Sequence, residues 1–225
     1  MVLYVVYRHC DGPASTCQSQ DPLSLELEVI SVAPRVFVVE KFLSPFEADS
    51  IIAIATHNST VTTSTVGDYG DARVVNTRTS RNAWVDKDTT PLTHTLFRRA
   101  ADVMGLHTRT VLENAEEMQV VHYINGQKYD AHHDWGVSGY HESRFVTMLL
   151  YLTDQADPGA GGETAFPKAG TGGGIKVVPV KGDAVLFYNL LEDGNGDDLS
   201  VHAALPVWRG EKWLANFWVW DAKHP

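Results

Sequence analysis

The second half of the chain sets the strongest limit on its fold. After Gly105 the runs "MQVVHYI", "RFVTMLLYL", "IKVVPV", "DAVLFYN" and "EKWLANFWVW" follow one another, each β-branched or aromatic and each bounded by Gly, Asp, Asn or Pro. No helical pattern separates them, whereas parallel neighbours need a crossover of about a dozen residues or more. The expectation is a mainly β protein whose antiparallel strands close into a jelly-roll barrel, with flanking helices packed outside.

Two helices are signalled upstream. In "SPFEADSIIAIATH" Ser44 caps, Pro45 takes the first helical position, Glu47 completes a capping box, and Phe46, Ile51 and Ala55 recur near helical spacing. Thr90 and Pro91 open a second, with Leu92, Leu96, Ala100 and Met104 on one face, Gly105 as stop, and Arg98, Arg99 and Asp102 on a flank read as solvated. A short strand is expected at "PRVFVVEKFL". Residues 1–30, with the turn-rich "CDGPASTCQSQDP", read as an N-terminal extension, and 31–225 as a single domain.

The chain carries 28 acidic and 18 basic residues, a net charge of -10, which argues against nucleic acid as a partner. No apolar run approaches the roughly 20 residues of a membrane span. A removed leader or anchor would place the chain in the endoplasmic reticulum or Golgi lumen; otherwise it is cytoplasmic. Cys10 and Cys17 either pair or stay free, and "NST" at Asn58 is a glycosylation sequon.

Chemistry concentrates in "HYINGQKYDAHHDW", residues 122–135. On a strand, His132 and Asp134 point to one face and His133 to the other. With His202 from "DLSVHAALPVW" they make two imidazoles and one carboxylate, the facial set of non-haem Fe(II) oxygenases, although zinc uses the same ligands. Lys212 opens a strand whose alternation puts Leu214, Asn216, Trp218 and Trp220 on its own face. If that face is internal, the ammonium needs a buried anion. A small dicarboxylic acid would supply one, with one end on the metal and the other at the lysine.

The blocks "YINGQKYDAHHDW", "RFVTMLLYL", "GGETAFP" and "HAALPVWRGEKWLANFWVW" resemble, in order from about Pro34 to Asp221, the catalytic domain of the prolyl 4-hydroxylases. The resemblance implies a cupin-like double-stranded β-helix and an Fe(II)- and 2-oxoglutarate-dependent dioxygenase with ascorbate as reductant. It would hydroxylate peptidyl proline at C4 and release succinate and carbon dioxide. It makes His132, Asp134 and His202 the iron ligands and Lys212 the anchor of the distal 2-oxoglutarate carboxylate. Tyr123 and Thr147 would donate hydroxyl hydrogen bonds to the same end, with Trp218 in the same pocket. In "NTRTSRNAW" Arg78 and Ser80 would contact the peptide backbone and Trp84 would pack nearby; Glu116, Tyr129 and Arg144 would line the same groove.

The glycine-rich "DPGAGGETAFPKAGTGGG" lacks a phosphate-loop ending and reads as a segment beside the site, with Glu163 and Thr164 in the family's "GGET". His94 and His107 read as surface or capping groups, His122 as packing, and His133 and His141 as flanking the site. A proline-containing peptide is the expected partner of a monomeric chain. The alternatives are a dioxygenase of the same fold acting on a non-peptide substrate and a zinc hydrolase. The zinc hydrolase leaves Lys212 unexplained.

Overall fold

Alternation along one central strand, β8 (Arg144–Tyr151), sorts the molecule into layers. Its Val146, Met148 and Leu150 join one buried cluster, while Leu149 and Tyr151 join another. In β13 (Lys212–Trp220), Ala215, Phe217 and Val219 belong to the first cluster and Leu214 to the second. A strand covered on both faces must lie between two other layers. Helices α1 (Pro45–Asn58) and α2 (Pro91–Met104) supply one of these, through Ile51, Ala55, Leu96, Phe97 and Ala100. A second, smaller sheet supplies the other through Phe166 and, at its margins, Tyr129, Ile175 and Ala204.

This is a computed structural model, and it describes residues 2–7, 23–58, 62–64, 76–136, 143–155, 157–170 and 172–221. Besides β8 and β13, the larger sheet contains β1 (Val2–Tyr7), β2 (Leu23–Val32), β3 (Arg35–Val39), β4 (Thr62–Thr63), β5 (Arg81–Val85), β6 (Met118–Tyr123) and β11 (Ala184–Tyr188). Its order is β1-β2-β3-β11-β8-β13-β6-β5-β4. The smaller sheet, β10-β9-β12-β7, is built from β7 (Tyr129–His132), β9 (Thr164–Phe166), β10 (Ile175–Val177) and β12 (His202–Ala204). Every pairing in both sheets is antiparallel, as the absence of crossovers implies.

The expected closure does not form. In place of a jelly-roll barrel or double-stranded β-helix there are two separate open sheets in a mixed α/β protein. The larger sheet continues at both flanks, through β2 and β1 on one side and β5 and β4 on the other, and none of its strands pairs with a strand of the small sheet. The small sheet's strands, three or four residues each, are too short to complete a cylinder. Part of the first thirty residues, expected as an extension, forms β1 and the start of β2, and Leu25 and Leu27 lie in the core.

The helix signals are read correctly at their starts. Ser44 and Glu47 bond each other's backbone N–H, Thr90 accepts from the Thr93 N–H, and Gly105 ends α2 at φ 66. Two side chains behave otherwise than expected. Phe46 is 77% exposed, and Arg99 is buried, forked onto Glu47 at 2.7 and 3.0 Å and donating to the Phe42 carbonyl. A third helix, α3 (Thr108–Asn114), was not anticipated; His107 caps it by accepting from the Arg109 N–H. Cys10, Cys17, His141 and the Asn58 side chain lie outside the described residues. Among the described residues no helix is long and apolar enough to cross a membrane.

Candidate active site

Pairing in the small sheet creates the imidazole pair. His132 ends β7, His202 begins β12, and the two are direct cross-strand partners, so both rings leave the same face and their centroids lie 4.4 Å apart. Each ring bonds a backbone carbonyl through Nδ1, His132 to Asp130 at 2.8 Å and His202 to Ser200 at 3.1 Å. A carbonyl only accepts, so Nδ1 carries a proton, and in the neutral ring Nε2 then keeps its lone pair. Burial, reinforced by the neighbouring His202, pushes the His132 pKa down to about 3, so the ring is neutral at ordinary pH. Tyr129 stacks on His132 at 3.7 Å.

Asp134 brings the carboxylate, by a route the strand arithmetic did not foresee. β7 stops at His132, and Asp134 lies in the bend beyond it, 4% exposed. Two side chains of the larger sheet draw it in: Thr147 Oγ1 and Trp218 Nε1 both donate to Oδ2, at 2.7 and 2.9 Å, from directly paired positions on β8 and β13. Burial opposes ionisation, but His202, His132, Arg144 and the Thr147 bond together hold the carboxyl well below the usual carboxylate range. The ligating atoms of His132, Asp134 and His202 all lie within 4.8 Å of one another. Two lone-pair-bearing imidazoles fixed by their second nitrogens and one ionised carboxylate are the donor set that a divalent metal requires.

Lys212 occupies a different part of the same inner face. It is 0% exposed and donates to the Gly162 carbonyl at 2.6 Å, with the rings of Tyr123 and Tyr151 at 5.8 and 5.6 Å. Burial lowers its pKa to about 7, partly offset by Glu163. Gly162 is required at φ +78, and a Cβ there would meet Val207 and Gln155 at 3.3 and 3.4 Å. Tyr123 is paired with Lys212 across β6 and β13, and burial raises its pKa, partly offset by Arg78 and Ser80. Thr147, expected at the lysine end, is bonded to Asp134 instead. The threonine beside the lysine's tyrosines is Thr164, which accepts from the Tyr151 hydroxyl at 2.8 Å.

The expected peptide-groove residues divide. Arg144 is forked onto Glu116 at 2.6 and 3.0 Å, lies 3.8 Å over the Trp218 ring, and approaches Asp134 to 3.9 Å. Burial works against its charge, but Glu116 and Asp134 raise its pKa. Trp84, 42% exposed, flanks Trp218 at 6.3 Å. Arg78 is buried, donating to Gln119 at 2.8 Å and lying 4.8 Å over Tyr129. Ser80 is wholly buried against Ser64 at 2.9 Å and presents no surface to a ligand. His133 turns away, bonding the Asp198 carbonyl at 3.3 Å, and His122 stacks on Trp213 while pairing with Glu211 at 2.7 Å. The sequence reading missed Gln119 and Asn189, polar residues within or just after apolar strands. Their only signal is that a buried amide needs a partner.

Residues 118–220 match the family described as the 2OG-Fe(II) oxygenase superfamily. Among curated relatives, prolyl 4-hydroxylase 2 of Arabidopsis thaliana is 34% identical over 92% of this chain and 75% of its own length, and prolyl 4-hydroxylase 1 of the same plant is 36% identical over 85% and 71%. The viral collagen prolyl hydroxylase of Paramecium Bursaria Chlorella virus-1, solved as its 2OG complex, superposes with a TM-score of 0.62 at 26% identity, covering 86% of this chain and 99% of that one. A Pseudomonas putida prolyl-4-hydroxylase, 20% identical over 82% of this chain and 91% of that one, shares the fold at a TM-score of 0.57. The chain belongs to the prolyl 4-hydroxylase family.

Proposed function

We infer that this chain hydroxylates peptidyl proline at C4 with Fe(II), O2 and 2-oxoglutarate, releasing succinate and carbon dioxide. The observation that carries the reading is the joint occurrence, on one interior face, of the His132–Asp134–His202 cluster and the buried, cationic-type Lys212. Family membership and the likeness to the viral enzyme support it.

His132, Asp134 and His202 would hold the iron, which supplies the chemistry of O2 activation when bound. The chain's own residues do the rest by binding and exclusion. Lys212 receives the distal carboxylate of 2-oxoglutarate in a pocket walled by Tyr123 and Tyr151. Thr147 and Trp218 keep Asp134 ionised and oriented. The apolar layer of Leu149, Phe166, Phe187 and Leu214 keeps water from the reacting centre. Arg144, held by Glu116, with Trp84 and Tyr129 beside it, would grip an extended peptide; Arg78 supports Tyr129 from behind. Proline-rich segments arrive partly preordered in polyproline II, so such a groove loses less entropy in binding them. Ascorbate would serve as reductant.

The test is incubation with Fe(II), ascorbate, 2-oxoglutarate and a panel of collagen-like, Ser-Pro-rich and polyproline peptides, followed by fragmentation mass spectrometry. One added oxygen on proline C4 is expected, lost in Arg144→Ala while slow succinate formation persists. Turnover confined to a free amino acid or a nucleobase, with all peptides inert, would overturn the substrate class.

A further inference from the structure

Asn189 follows β11 directly, is 0% exposed, and touches neither the imidazole pair nor Lys212 through any hydrogen bond. Its Nδ2 donates to Thr147 Oγ1 at 2.8 Å, and Thr147 donates to Asp134 Oδ2 at 2.7 Å. Its own side-chain oxygen is buried without a hydrogen-bond partner. The direction of this chain follows from the donors available. An ionised carboxylate only accepts, so the hydroxyl must point its one proton at Asp134, and its remaining neighbour must be a donor. The amide nitrogen, not the oxygen, therefore faces Thr147. A leucine of similar size would fill the same space without a stranded carbonyl, so packing alone does not account for an amide here.

The two oxygens of Asp134 are treated differently. Oδ2 receives Thr147 and Trp218 from a cross-strand pair and lies 3.7 Å from His202 Nε2, whereas Oδ1 lies 3.7 Å from His132 Nε2 and 3.9 Å from the Arg144 guanidinium and accepts no such hydrogen bond. We propose that Asn189 and Thr147 form a positioning relay that pins Asp134 Oδ2 and so fixes the rotation of the carboxylate between the two imidazoles. A carboxylate left free to rotate would have to be ordered each time the metal binds, at a cost in affinity. The relay rests on the metal assignment above, and it gives Thr147 a role at the carboxylate in place of the lysine end.

Anaerobic Co(II) titration of the purified full chain, without co-substrate, tests it by affinity instead of turnover. Thr147→Val should weaken Co(II) binding ~10–100-fold, the usual effect of removing a group that orients a ligand, and Thr147→Ser should restore most of it. Asn189→Leu should weaken binding several-fold in the wild-type background and have no effect in the Thr147→Val background, because the two act in series. Thermal unfolding confirms that each variant is folded; should Thr147→Val not fold, the comparison of Asn189→Leu with wild type carries the test. Wild-type affinity in folded Asn189→Leu, or equal losses in both backgrounds, would overturn the relay. Asp134→Ala is measured alongside. Unchanged Co(II) affinity there would sink the metal assignment itself, while its loss combined with an inert Asn189→Leu would sink the relay alone.

Discussion

The two ends of the pocket are built on opposite principles. At the metal end the protein fixes its ionisable side chains with its own groups: both histidines bond backbone carbonyls, Asp134 accepts from Thr147 and Trp218, and Arg144 is forked onto Glu116. At the other end an equally buried Lys212 has one hydrogen bond, to a neutral carbonyl, and among the described residues no carboxylate within ion-pairing distance. The contrast separates two kinds of site. A catalytic ion demands donors fixed before it arrives, whereas a lysine with no protein counter-ion is completed by an anionic ligand. The protein bears a desolvation penalty at Lys212 that an arriving carboxylate relieves, which favours a dicarboxylate over neutral molecules of similar shape.

The comparison is broken most severely by Asp134→Ala, which removes a ligand and strands the donors aimed at it. Turnover should fall to background and metal affinity by more than ~100-fold, beyond the range for orienting groups. An anaerobic Fe(II) titration checks this, and wild-type affinity would refute the assignment. Lys212→Ala should leave that titration unchanged but weaken apparent 2-oxoglutarate affinity ~10–100-fold, the worth of a charged hydrogen bond in a closed pocket. Lys212→Arg should also impair, because a planar fork does not replace a point charge.

The third way to sharpen the contrast is pH. Lys212 has a pKa of about 7 in the folded chain against 10.5 for an ordinary lysine. Between these values the unfolded chain binds more protons, so folding stability rises with pH across that window, and the full penalty is present below pH 7. Chemical denaturation of the 2-oxoglutarate-free protein at pH 7 and at pH 10 should show this rise beneath other titrations. Lys212→Met should remove that component and be more stable than wild type at pH 7. Equal pH dependence in both proteins would show that the lysine is not penalised as described. The smallest effect is expected at the groove: Glu116→Gln should raise peptide KM about tenfold, near the ~1.5 kcal/mol of one charged hydrogen bond, with 2-oxoglutarate affinity unchanged.

Much of this was legible in the sequence where the rule was local. Capping residues marked the starts of α1 and α2, and period-two alternation put Lys212, Leu214 and Trp218 on one inner face. The His-x-Asp spacing and a late His202, taken with the family resemblance, pointed to the three residues that the structure brings together, although Asp134 reaches them from a bend and not from the strand. Alternation failed where partners come from distant strands. It could not tell that Thr147 would meet Asp134, that Ser80 would be sealed against Ser64, or that Arg99 would turn inward to Glu47. Nor could it tell whether the sheet closes, because alternation fixes which face a residue takes and not which strands pair: β1 (VLYVVY) and β2 (LSLELEVISV) read as strands, yet they extend the larger sheet as its flank.

The central claim is that this pocket couples consumption of 2-oxoglutarate to hydroxylation of peptidyl proline, and isotopic oxygen tests it most directly. A peptide that is turned over should be incubated under 18O2 with Fe(II), ascorbate and 2-oxoglutarate, and both products analysed by mass spectrometry. The account predicts one labelled oxygen in the new carboxylate of succinate, labelled hydroxyl at proline C4, and equal amounts of succinate and hydroxyproline. Unlabelled succinate, or hydroxyproline formed without 2-oxoglutarate, would contradict it.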